Sequence, residues 1–307
     1  MIDFNLIIIL GATASGKTKL AVQLAQALNG EIISADSRQV FKHMDIGTGK
    51  DLQEYQVDDQ KIPYHLIDIL EAGDRYHVDA FKNDFYKAFD DITKRGKVPV
   101  LCGGTGMYIH SLLQKQDYTS IPVNENLRKS LEKYEKDELI EKLNTRDNIE
   151  YVDLNSKKRI IRAIEIAEFL KFNSLETVKR PELMPIIFGL KNQVEITRAK
   201  ILTRLDERLK SGMIEEVRKL IDDGISKEIL IFYGLEYKFI VNYLEGQLSY
   251  DELKLRLGTA ICQYAKRQNT FFRKMEKDKV DIIWLNANEE INQLKQQILN
   301  KVSIKIN

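Results

Sequence analysis

The segment Gly11–Thr18 constrains what this chain can fold into more than any other. It reads Gly-Ala-Thr-Ala-Ser-Gly-Lys-Thr and matches every fixed position of the phosphate-binding pattern G-x-x-x-x-G-K-[ST]. The apolar run Leu6–Leu10 before it predicts a buried parallel strand, and Lys17–Leu28 after it has leucines at helical spacing. A strand, a glycine-rich turn and a helix in this order predict a phosphate loop, in which backbone amides and a helix N-terminus face an anion.

The pattern that follows this loop predicts an α/β fold. Glu31–Ser34 and Val98–Cys102 read as short strands, and residues 79–94 between them read as a helix. Alternating strands and helices imply a P-loop NTPase-like parallel sheet with helices on both faces. Two later apolar runs, Ile186–Leu190 and Asp281–Leu285, are further candidate strands.

The middle of the chain differs from both flanks. Residues 124–172 are charged and helical and contain no clear strand. We therefore predict an α/β core that is interrupted by a helical insertion domain. The predicted parts are residues 1–122 for the first part of the core, 123–180 for the insertion and 181–307 for the remainder with its C-terminal helices.

Composition excludes several classes of function. Lysine and arginine total 47 against 46 aspartates and glutamates, a net charge of +1, so any site for a polyanion must be local. The two cysteines, Cys102 and Cys262, have no partner at metal-ligand spacing, which argues against a zinc site and a disulfide framework. Because we find no secretory signal and no apolar run long enough for a bilayer, we expect a cytoplasmic protein without membrane association.

The phosphate loop alone leaves the reaction open. Lys17 supplies a cation and the hydroxyl of Thr18 suits Mg²⁺ coordination, as a nucleotide kinase, an NTPase or a transferase that releases diphosphate would need. The strand Val98–Cys102 ends in Gly-Gly rather than in the aspartate that an NTPase places near its metal. Asp68 after a short apolar run could supply that acid, so the pattern disfavours a motor-type ATPase only weakly.

Two polar residues follow the predicted strands that come after the loop. Asp36 follows the second strand, and Thr105 lies in the Gly-Gly-Thr-Gly turn after the third. Because the carboxyl ends of parallel strands line one rim, we expect both near the phosphate loop. A carboxylate there can accept a proton from an acceptor substrate, and a threonine can hydrogen-bond it. A turn aspartate and a helix-capping threonine are the alternatives.

Three segments concentrate positive charge. Lys200, Arg204 and Arg208 share one face of a predicted helix, and periodicity alone favours a solvated face over an anion-binding row. Residues 154–162 hold four cations and no acid, and residues 264–274 interleave cations with aromatics. Such mixtures suit a structured RNA with splayed bases, whereas an ordinary amphipathic helix with its aromatics in the core is the alternative for the second segment.

Taken together, the ordered motifs resemble the tRNA dimethylallyltransferase family, also called tRNA isopentenyltransferases. The resemblance runs from residue 11 to about residue 273. The matching stretches, in the family's order, are Gly11–Thr18, Ser34–Val40, Met44–Thr48, His65–Asp68, Gly103–Gly106, Arg159–Glu165 and Tyr264–Thr270. No Cys/His pattern like the zinc-finger extension of eukaryotic members follows the core, which favours the bacterial type.

The resemblance implies a reaction and a role for each matching residue. A dimethylallyl group would pass from dimethylallyl diphosphate to the exocyclic amine of the adenosine 3′-adjacent to the anticodon, giving N6-dimethylallyladenosine. Asp36 would accept the amine proton, Thr105 would lie near the amine, and Arg208 would stabilise the departing diphosphate. The diphosphate would be bound by Gly11, Ala12, Thr13, Ala14, Ser15, Gly16, Lys17 and Thr18, with Thr18 also a ligand of Mg²⁺. The tRNA anticodon stem-loop would be bound by Asp36, Ser37, Arg38, Gln39, Thr105, Arg128, Lys158, Arg159, Ile160, Ile161, Arg162, Lys266, Arg267 and Gln268.

The chain also departs from the family's usual sequence. Ala12 stands in place of a usual proline, Phe41 and Leu235 in place of tyrosines, and Phe271 in place of a tryptophan. These positions bear on efficiency and on the tRNA contacts. We expect a monomer. The competing hypotheses are an enzyme that prenylates free adenine nucleotides, a small-molecule kinase, and an RNA-binding ATPase or scaffold without prenyl chemistry.

Overall fold

The structure of the protein, a computed structural model, describes residues 4–114, 117–144, 154–175 and 178–304. The chain divides into two compact units. Unit 1 joins Met1–Gln114 with Pro181–Asn307, and unit 2 is Lys115–Arg180.

Unit 1 is organised around a parallel sheet. Its strands, in chain order, are β1 (Leu6–Gly11), β2 (Gly30–Ser34), β3 (Gln56–Val57), β4 (Gln60–Lys61), β5 (Tyr64–His65), β6 (Val98–Gly103), β7 (Pro185–Lys191) and β8 (Ile283–Asn286). In the described residues, six of them form one sheet in the order β5-β2-β6-β1-β7-β8, and each neighbouring pair is parallel. The short strands β3 and β4 pair with each other in antiparallel fashion.

Helices cover both faces of this sheet. Those of unit 1, in chain order, are α1 (Lys17–Ala27), α2 (Val78–Lys94), α3 (Gly106–Leu113), α7 (Val194–Lys210), α8 (Met213–Asp222), α9 (Lys227–Tyr233), α10 (Leu235–Leu244), α11 (Tyr250–Lys277) and α12 (Ile291–Ile304). Strand β1 is buried along its whole length, as its continuous apolar sequence predicts for a central parallel strand. Ile7 and Ile9 pack with residues of α1 and α12, whereas Leu6, Ile8 and Leu10 pack with residues of α2 and α3 on the opposite face.

A separate apolar cluster holds the helices that follow β7. Leu205 of α7, Val217 of α8, Ile240 of α10 and Leu257 of α11 belong to this cluster. The segment after β2 joins it through Phe41, which is fully buried. This packing fixes α7 against the loops that leave the carboxyl ends of β1 and β2.

Unit 2 is helical in the part that the structure describes. Its helices are α4 (Glu125–Glu132), α5 (Lys136–Asn144) and α6 (Lys157–Leu170). Leu131, Leu139, Ile160 and Ile164 form its apolar core. In both units, none of the described helices combines the length and the apolar character that a membrane span requires.

Candidate functional site

Three neighbouring strands bring the predicted site residues to one rim of the sheet. Strand β6 lies between β2 and β1, and all three run in the same direction. Their carboxyl ends lead into Asp36 after β2, Thr105 after β6 and the phosphate loop after β1. Because parallel strands end at the same edge, the sheet topology itself assembles these groups.

The phosphate loop has the backbone conformation that its sequence predicts. Gly16, at the N-terminus of α1, adopts φ 82°, a left-handed conformation that favours glycine. Ala14 has φ 60°, and the amide of Ser15 donates to the carbonyl of Ala12 at 3.3 Å. The loop therefore wraps in front of the N-terminus of α1, where unpaired amides and the helix dipole favour an anion.

Gln268 on α11 connects the phosphate loop to the turn after β6. Its Oε1 accepts a hydrogen bond from the amide of Thr13 at 2.9 Å, and its Nε2 donates to the carbonyl of Gly104 at 2.9 Å. The side chain is buried. Both ends of its amide are thus used inside the protein, where they fix one edge of the loop.

Asp36 and Thr105 lie in one hydrogen-bonded turn region. The Oδ1 atom of Asp36 accepts from the amide of Arg38 at 2.9 Å. The hydroxyl of Thr105 accepts from the amide of Ser37 at 3.2 Å, and the amide of Thr105 donates to the carbonyl of Ala35 at 3.3 Å. These contacts tie both side chains to the turn after β2, and of the two residues Asp36 lines the cavity at this rim.

The cationic row on α7 faces this rim. Lys200, Arg204 and Arg208 all line the same cavity as the phosphate loop, and of the three Lys200 is also exposed to solvent. The solvated face that periodicity favours therefore does not describe Arg204 and Arg208. A guanidinium nitrogen of Arg204 contacts the hydroxyl of Thr13 in the loop. Arg208 donates to the carboxylate of Asp51 at 2.9 Å, and only 13% of its side chain is exposed.

Another part of the cavity wall belongs to the segment Met44–Asp51, of which Gly47, Thr48, Gly49 and Asp51 line the cavity. The carboxylate of Glu216 accepts from the amides of Asp45, Ile46 and Gly47, at 2.8, 2.6 and 3.0 Å, and from the hydroxyl of Tyr237 at 2.9 Å. With so many directed contacts this wall is preorganised.

Lys50 also anchors this segment. Its side chain is fully buried and pairs with Asp45 at 2.6 Å and with Asp68. Its ammonium group also donates to the carbonyl of Phe41 at 2.8 Å. Gly49, beside it, has φ 63° and lies so close to the guanidinium of Arg208 that a β-carbon would be 2.5 Å from Cζ. The absence of a side chain at this position lets Arg208 reach the cavity.

The cavity enclosed by these elements, called the rim cavity below, has a volume of about 570 Å³. Its lining is cationic around the loop and apolar on another side, where Leu235, Ile261 and Tyr264 contribute. Acidic side chains are also present. They are Asp36, Asp51, Glu54 and Glu236. A cavity of this kind can hold an anion beside a short apolar group and a proton acceptor.

Burial changes the protonation equilibria inside the cavity. It lowers the pKa of Lys17 and, together with the charge of Arg208, lowers the pKa of Arg204 to about 10. Burial, and next to it the charge of Asp51, raise the pKa of Glu54, and burial also raises the pKa of Glu236. Desolvated cations and acids whose pKa is raised are the electrostatic state expected of a site that is completed by a bound anion.

No cluster of three or more His, Cys, Asp or Glu side chains suited to a metal ion occurs in the part of the chain that the structure describes. The hydroxyl of Thr18 and the carboxylates of Asp36, Asp51 and Glu54 do line the cavity. This sparse set of oxygen donors fits Mg²⁺, which typically takes one or two protein ligands and completes its shell with phosphate oxygens and water.

Comparison with known proteins identifies the family. Residues 39–275 match the family model described as IPP transferase, and residues 4–66 match the one described as isopentenyl transferase. The chain is 45% identical to tRNA dimethylallyltransferase 2 of Shewanella sediminis over 301 residues, which is 97% of this chain and 99% of that protein. The chain belongs to the tRNA dimethylallyltransferase family. The protein of the same name from Bacteroides fragilis is 46% identical over 303 residues, which is 97% of this chain and 99% of that one.

Solved structures of family members have the same fold. The tRNA isopentenylpyrophosphate transferase from Staphylococcus epidermidis has a TM-score of 0.70 at 33% identity, covering 98% of this chain and 99% of that chain. A eukaryotic dimethylallyltransferase described as acting on tRNA has a TM-score of 0.74 at 26% identity, covering 92% of this chain and 74% of that chain. The predicted parallel sheet with flanking helices, and the family resemblance, are confirmed.

The residues that the family resemblance assigns to tRNA occupy different environments in unit 1. Arg38 and Gln39 line the rim cavity, and Gln39 bridges the hydroxyl of Ser34 and the carbonyl of Gly49 at 3.0 Å each. Lys266 and Arg267 are exposed on α11, with the guanidinium of Arg267 5.8 Å from the ring centre of Tyr264. Gln268 is buried, and its side-chain amide contacts the loop and the turn as described above, whereas its contact with tRNA stays a prediction.

The assigned residues in unit 2 divide into exposed and anchored side chains. Lys158 and Arg159 are exposed on the first turn of α6. Ile160 and Ile161 are in the apolar core, so only their backbone could contact RNA. Arg162 donates to the carbonyls of Tyr118 and Ile121, at 3.2 and 2.6 Å.

Arg128 and Arg162 share the buried carboxylate of Glu165. The nearest distances are 2.8 Å for Arg128 and 3.5 Å for Arg162. The amide of Asn124 also donates to Glu165, at 3.1 Å. Both arginines therefore brace unit 2, in addition to whatever contact they make with a ligand.

Sequence reasoning missed several members of the cavity wall. Arg204 was identified only as part of a charged row, and Asp51, Glu54 and Glu236 not at all, because isolated acids in loops or helices carry no pattern. The departures at family positions are accommodated. Phe41 is buried against Tyr233 with 4.3 Å between ring centres, so it needs no hydroxyl partner. Leu235 lines the cavity, where it adds apolar surface.

Proposed function

We propose that the protein transfers a dimethylallyl group from dimethylallyl diphosphate to N6 of the adenosine that is 3′-adjacent to the anticodon of tRNA. The observation that carries this proposal is the assembly of a phosphate loop, a carboxylate and an apolar wall on one cavity, in a member of this family. Relatives that carry the name tRNA dimethylallyltransferase support the choice of both substrates.

The diphosphate would bind at the N-terminus of α1. The amides of Ala14, Gly16, Lys17 and Thr18, which line the cavity, and the ammonium group of Lys17 would meet its oxygens, while Arg204 and Arg208 approach from α7. Binding of an anion offsets the desolvation that lowers the pKa of Lys17, so the lysine stays charged in the complex. The dimethylallyl group would lie against Leu235, Ile261 and Tyr264.

Asp36 would act as the proton acceptor. The adenine amine attacks the primary allylic carbon, the new C–N bond forms as the C–O bond to diphosphate breaks, and the amine proton passes to the carboxylate. An aromatic exocyclic amine is a weak nucleophile, and general-base assistance is typically worth about 10²–10⁴-fold in rate. The hydroxyl of Thr105, which accepts from the amide of Ser37, would orient the amine.

The departing diphosphate gains negative charge as the bond breaks. Preorganised donors aimed at that charge lower the barrier by several kcal/mol, of about the size measured for oxyanion donors. Lys17, Arg204 and Arg208 supply such donors from two elements. Mg²⁺, held by the hydroxyl of Thr18 and by diphosphate oxygens, would supply Lewis-acid stabilisation of the same charge.

The tRNA would reach the cavity with its target base turned out of the stack, as enzymes that modify a base require. The net charge of +1 means that attraction for RNA must come from local groups. Exposed cations are available on α6, at Lys158 and Arg159, and on α11, at Lys266 and Arg267. Contacts of this kind predict a strong salt dependence of tRNA binding.

The deciding experiment is a prenyl-transfer assay. Purified protein is incubated with labelled dimethylallyl diphosphate, Mg²⁺ and unmodified tRNA, and the digested nucleosides are analysed. We expect labelled N6-dimethylallyladenosine from tRNAs with adenosine after the anticodon. Unlabelled AMP is added in excess as competitor. Absence of product from every such tRNA, or complete loss of transfer to tRNA in the presence of AMP, contradicts the proposal.

A further inference from the structure

One exposed aromatic ring directly precedes a stretch of the rim-cavity lining, Tyr233–Leu235. Phe232, near the end of α9, has 55% of its surface exposed, and it is the only exposed phenylalanine in the described part of unit 1. The next residue, Tyr233, is fully buried and lines the cavity. The chain thus turns one aromatic side chain inward and leaves its neighbour facing solvent.

Two arginines converge on this ring. The guanidinium carbon of Arg38 lies 5.5 Å from the centre of the Phe232 ring, and that of Arg75 lies 5.6 Å from it. The Nη2 atom of Arg38 also donates to the backbone carbonyl of Phe232 at 3.2 Å. The ring is held in place by cation–π contacts while more than half of the residue remains accessible.

Arg38 links this ring to the proposed proton acceptor. Its amide donates to the carboxylate of Asp36, and the residue itself lines the rim cavity. Arg38 thus contacts both Phe232 and the residue that would accept the proton from the target base. A nucleotide next to a base held at Asp36 is therefore a suitable partner for this ring and its two cations.

We propose that Phe232, Arg38 and Arg75, called the Phe232 platform below, bind a nucleotide next to the target adenosine. This inference rests on the proposed function, since it assumes an RNA substrate. The base of that nucleotide stacks on the Phe232 ring, and its phosphate pairs with the guanidinium groups. Single-stranded bases that lose a stacking partner are recognised in this way, by an aromatic face with arginines around it.

The chemistry of the patch favours a nucleotide over a protein segment. A ring flanked by two cations offers a π face and positive charge together, which match a base and a phosphate. When the target adenosine leaves the stack, a neighbouring base loses its stacking partner on one face. The Phe232 ring would replace that partner. Removal of one stacking aromatic typically weakens binding of single-stranded nucleic acid by about tenfold or more.

Steady-state prenyl transfer with Phe232 variants tests the platform. We expect Phe232→Ala to raise the KM for tRNA about tenfold and to leave the KM for dimethylallyl diphosphate unchanged. Phe232→Trp keeps a stacking face and should stay close to wild type, whereas Phe232→Leu keeps apolar volume and should resemble the alanine variant. Tyr250→Ala is the matched control, because Tyr250 is 44% exposed and packs against Tyr243 rather than against Arg38 and Arg75. Arg75→Ala should reduce the salt slope of tRNA binding by about one.

A binding measurement without prenyl donor separates this inference from the proposed function. An anticodon stem-loop that carries 2-aminopurine on either side of the target adenosine should lose fluorescence on binding to wild-type protein but not to Phe232→Leu. If prenylated tRNA forms and Phe232→Leu equals wild type in both assays, the platform is wrong and the proposed function stands. If quenching depends on Phe232 but no prenylated adenosine forms, the proposed function fails and the platform stands.

Discussion

Arg208 donates a hydrogen bond to the carboxylate of Asp51, with 2.9 Å between Nη2 and Oδ2. The two residues come from different parts of the chain, α7 and the segment after β2. Asp51 itself has φ 45° and sits at the start of a one-turn 3-10 helix. The pair fixes the guanidinium at the cavity wall, so Asp51 is a positioning residue for the proposed diphosphate contact.

We therefore expect Asp51→Ala to slow prenyl transfer. A hydrogen bond to a charged group contributes about 1.5–3 kcal/mol, which corresponds to roughly ten- to a hundredfold in kcat if the bond positions Arg208. The positive charge of Arg208 remains, so pyrophosphate binding measured by calorimetry should change much less than kcat. Equal losses in both quantities would mean that Asp51 acts on ground-state binding instead.

Asp36→Asn tests the proton acceptor with little change of shape. The amide oxygen can still accept from the amide of Arg38, but it cannot take a proton from the adenine amine. We expect kcat to fall by about 10²–10⁴-fold while the affinity for pyrophosphate and for tRNA stays close to wild type. Single-turnover prenyl transfer measures the first quantity, and filter binding measures the tRNA affinity. A variant that retains full turnover removes Asp36 from the mechanism.

Lys50→Met should destabilise unit 1. The substitution leaves the carboxylates of Asp45 and Asp68 without the buried cation that they share. The side chains of Asp45 and Asp68 are 59% and 33% exposed, so water compensates part of the lost pairing. We expect a loss of about 1–3 kcal/mol, the usual cost of leaving a buried acceptor such as the carbonyl of Phe41 without its donor. Lys42→Met is the control, because Lys42 and Glu71 form an exposed pair. Urea denaturation should separate the two variants clearly, and equal midpoints would contradict the prediction.

Substitution of Arg162 and of Lys158 should affect different properties, stability for Arg162 and tRNA binding for Lys158, although both are predicted to bind tRNA. Arg162→Ala removes donors from the Glu165 cluster and from two carbonyls, so we expect a lower melting temperature. Lys158 is exposed, so Lys158→Ala should leave the melting temperature unchanged and reduce the salt slope of tRNA binding by about one. A stable Arg162→Ala protein with normal tRNA binding would show that the cluster is dispensable.

The two cysteines should differ in their reaction with a thiol reagent. Cys102 is buried at the end of β6, and burial raises the pKa of its thiol to about 12. At pH 8 only about one molecule in ten thousand carries the Cys102 thiolate, and this fraction rises tenfold per pH unit until about pH 12. Native protein should therefore titrate one fast thiol, Cys262, and denatured protein two. Two fast thiols in the native state would contradict the burial of Cys102.

Local sequence patterns predicted the elements that carry the phosphate loop. The strand predicted at Leu6–Leu10 and the helix at Lys17–Leu28 appear as β1 and α1 within one residue at each end. The pattern was informative because a central parallel strand is apolar on both faces, and the loop sequence fixes where it ends. The expected proximity of Asp36 and Thr105 to the loop follows from strand direction alone.

Other features depend on contacts that no local pattern contains. Strand β5 has two residues and pairs with β2 across a long connection, so its short sequence gave no strand signal. Helix α12 follows the last strand and packs on α1 through apolar residues that were not assigned to an element. The position of Arg204 at the loop depends on how α7 packs against the sheet, and Gln268 reaches Thr13 across 255 residues of chain.

The order of the strands sets a fixed length scale for the chemistry. Strand β6 lies between β2 and β1. Asp36 and the phosphate loop therefore follow strands that are two strand spacings apart, roughly 10 Å at the usual separation. This distance is fixed, because the sheet cannot stretch without breaking the hydrogen bonds between its strands. The sheet therefore also limits which acceptor substrates react. When a nucleophile is displaced by one bond length from the ideal position, the strands do not move to compensate.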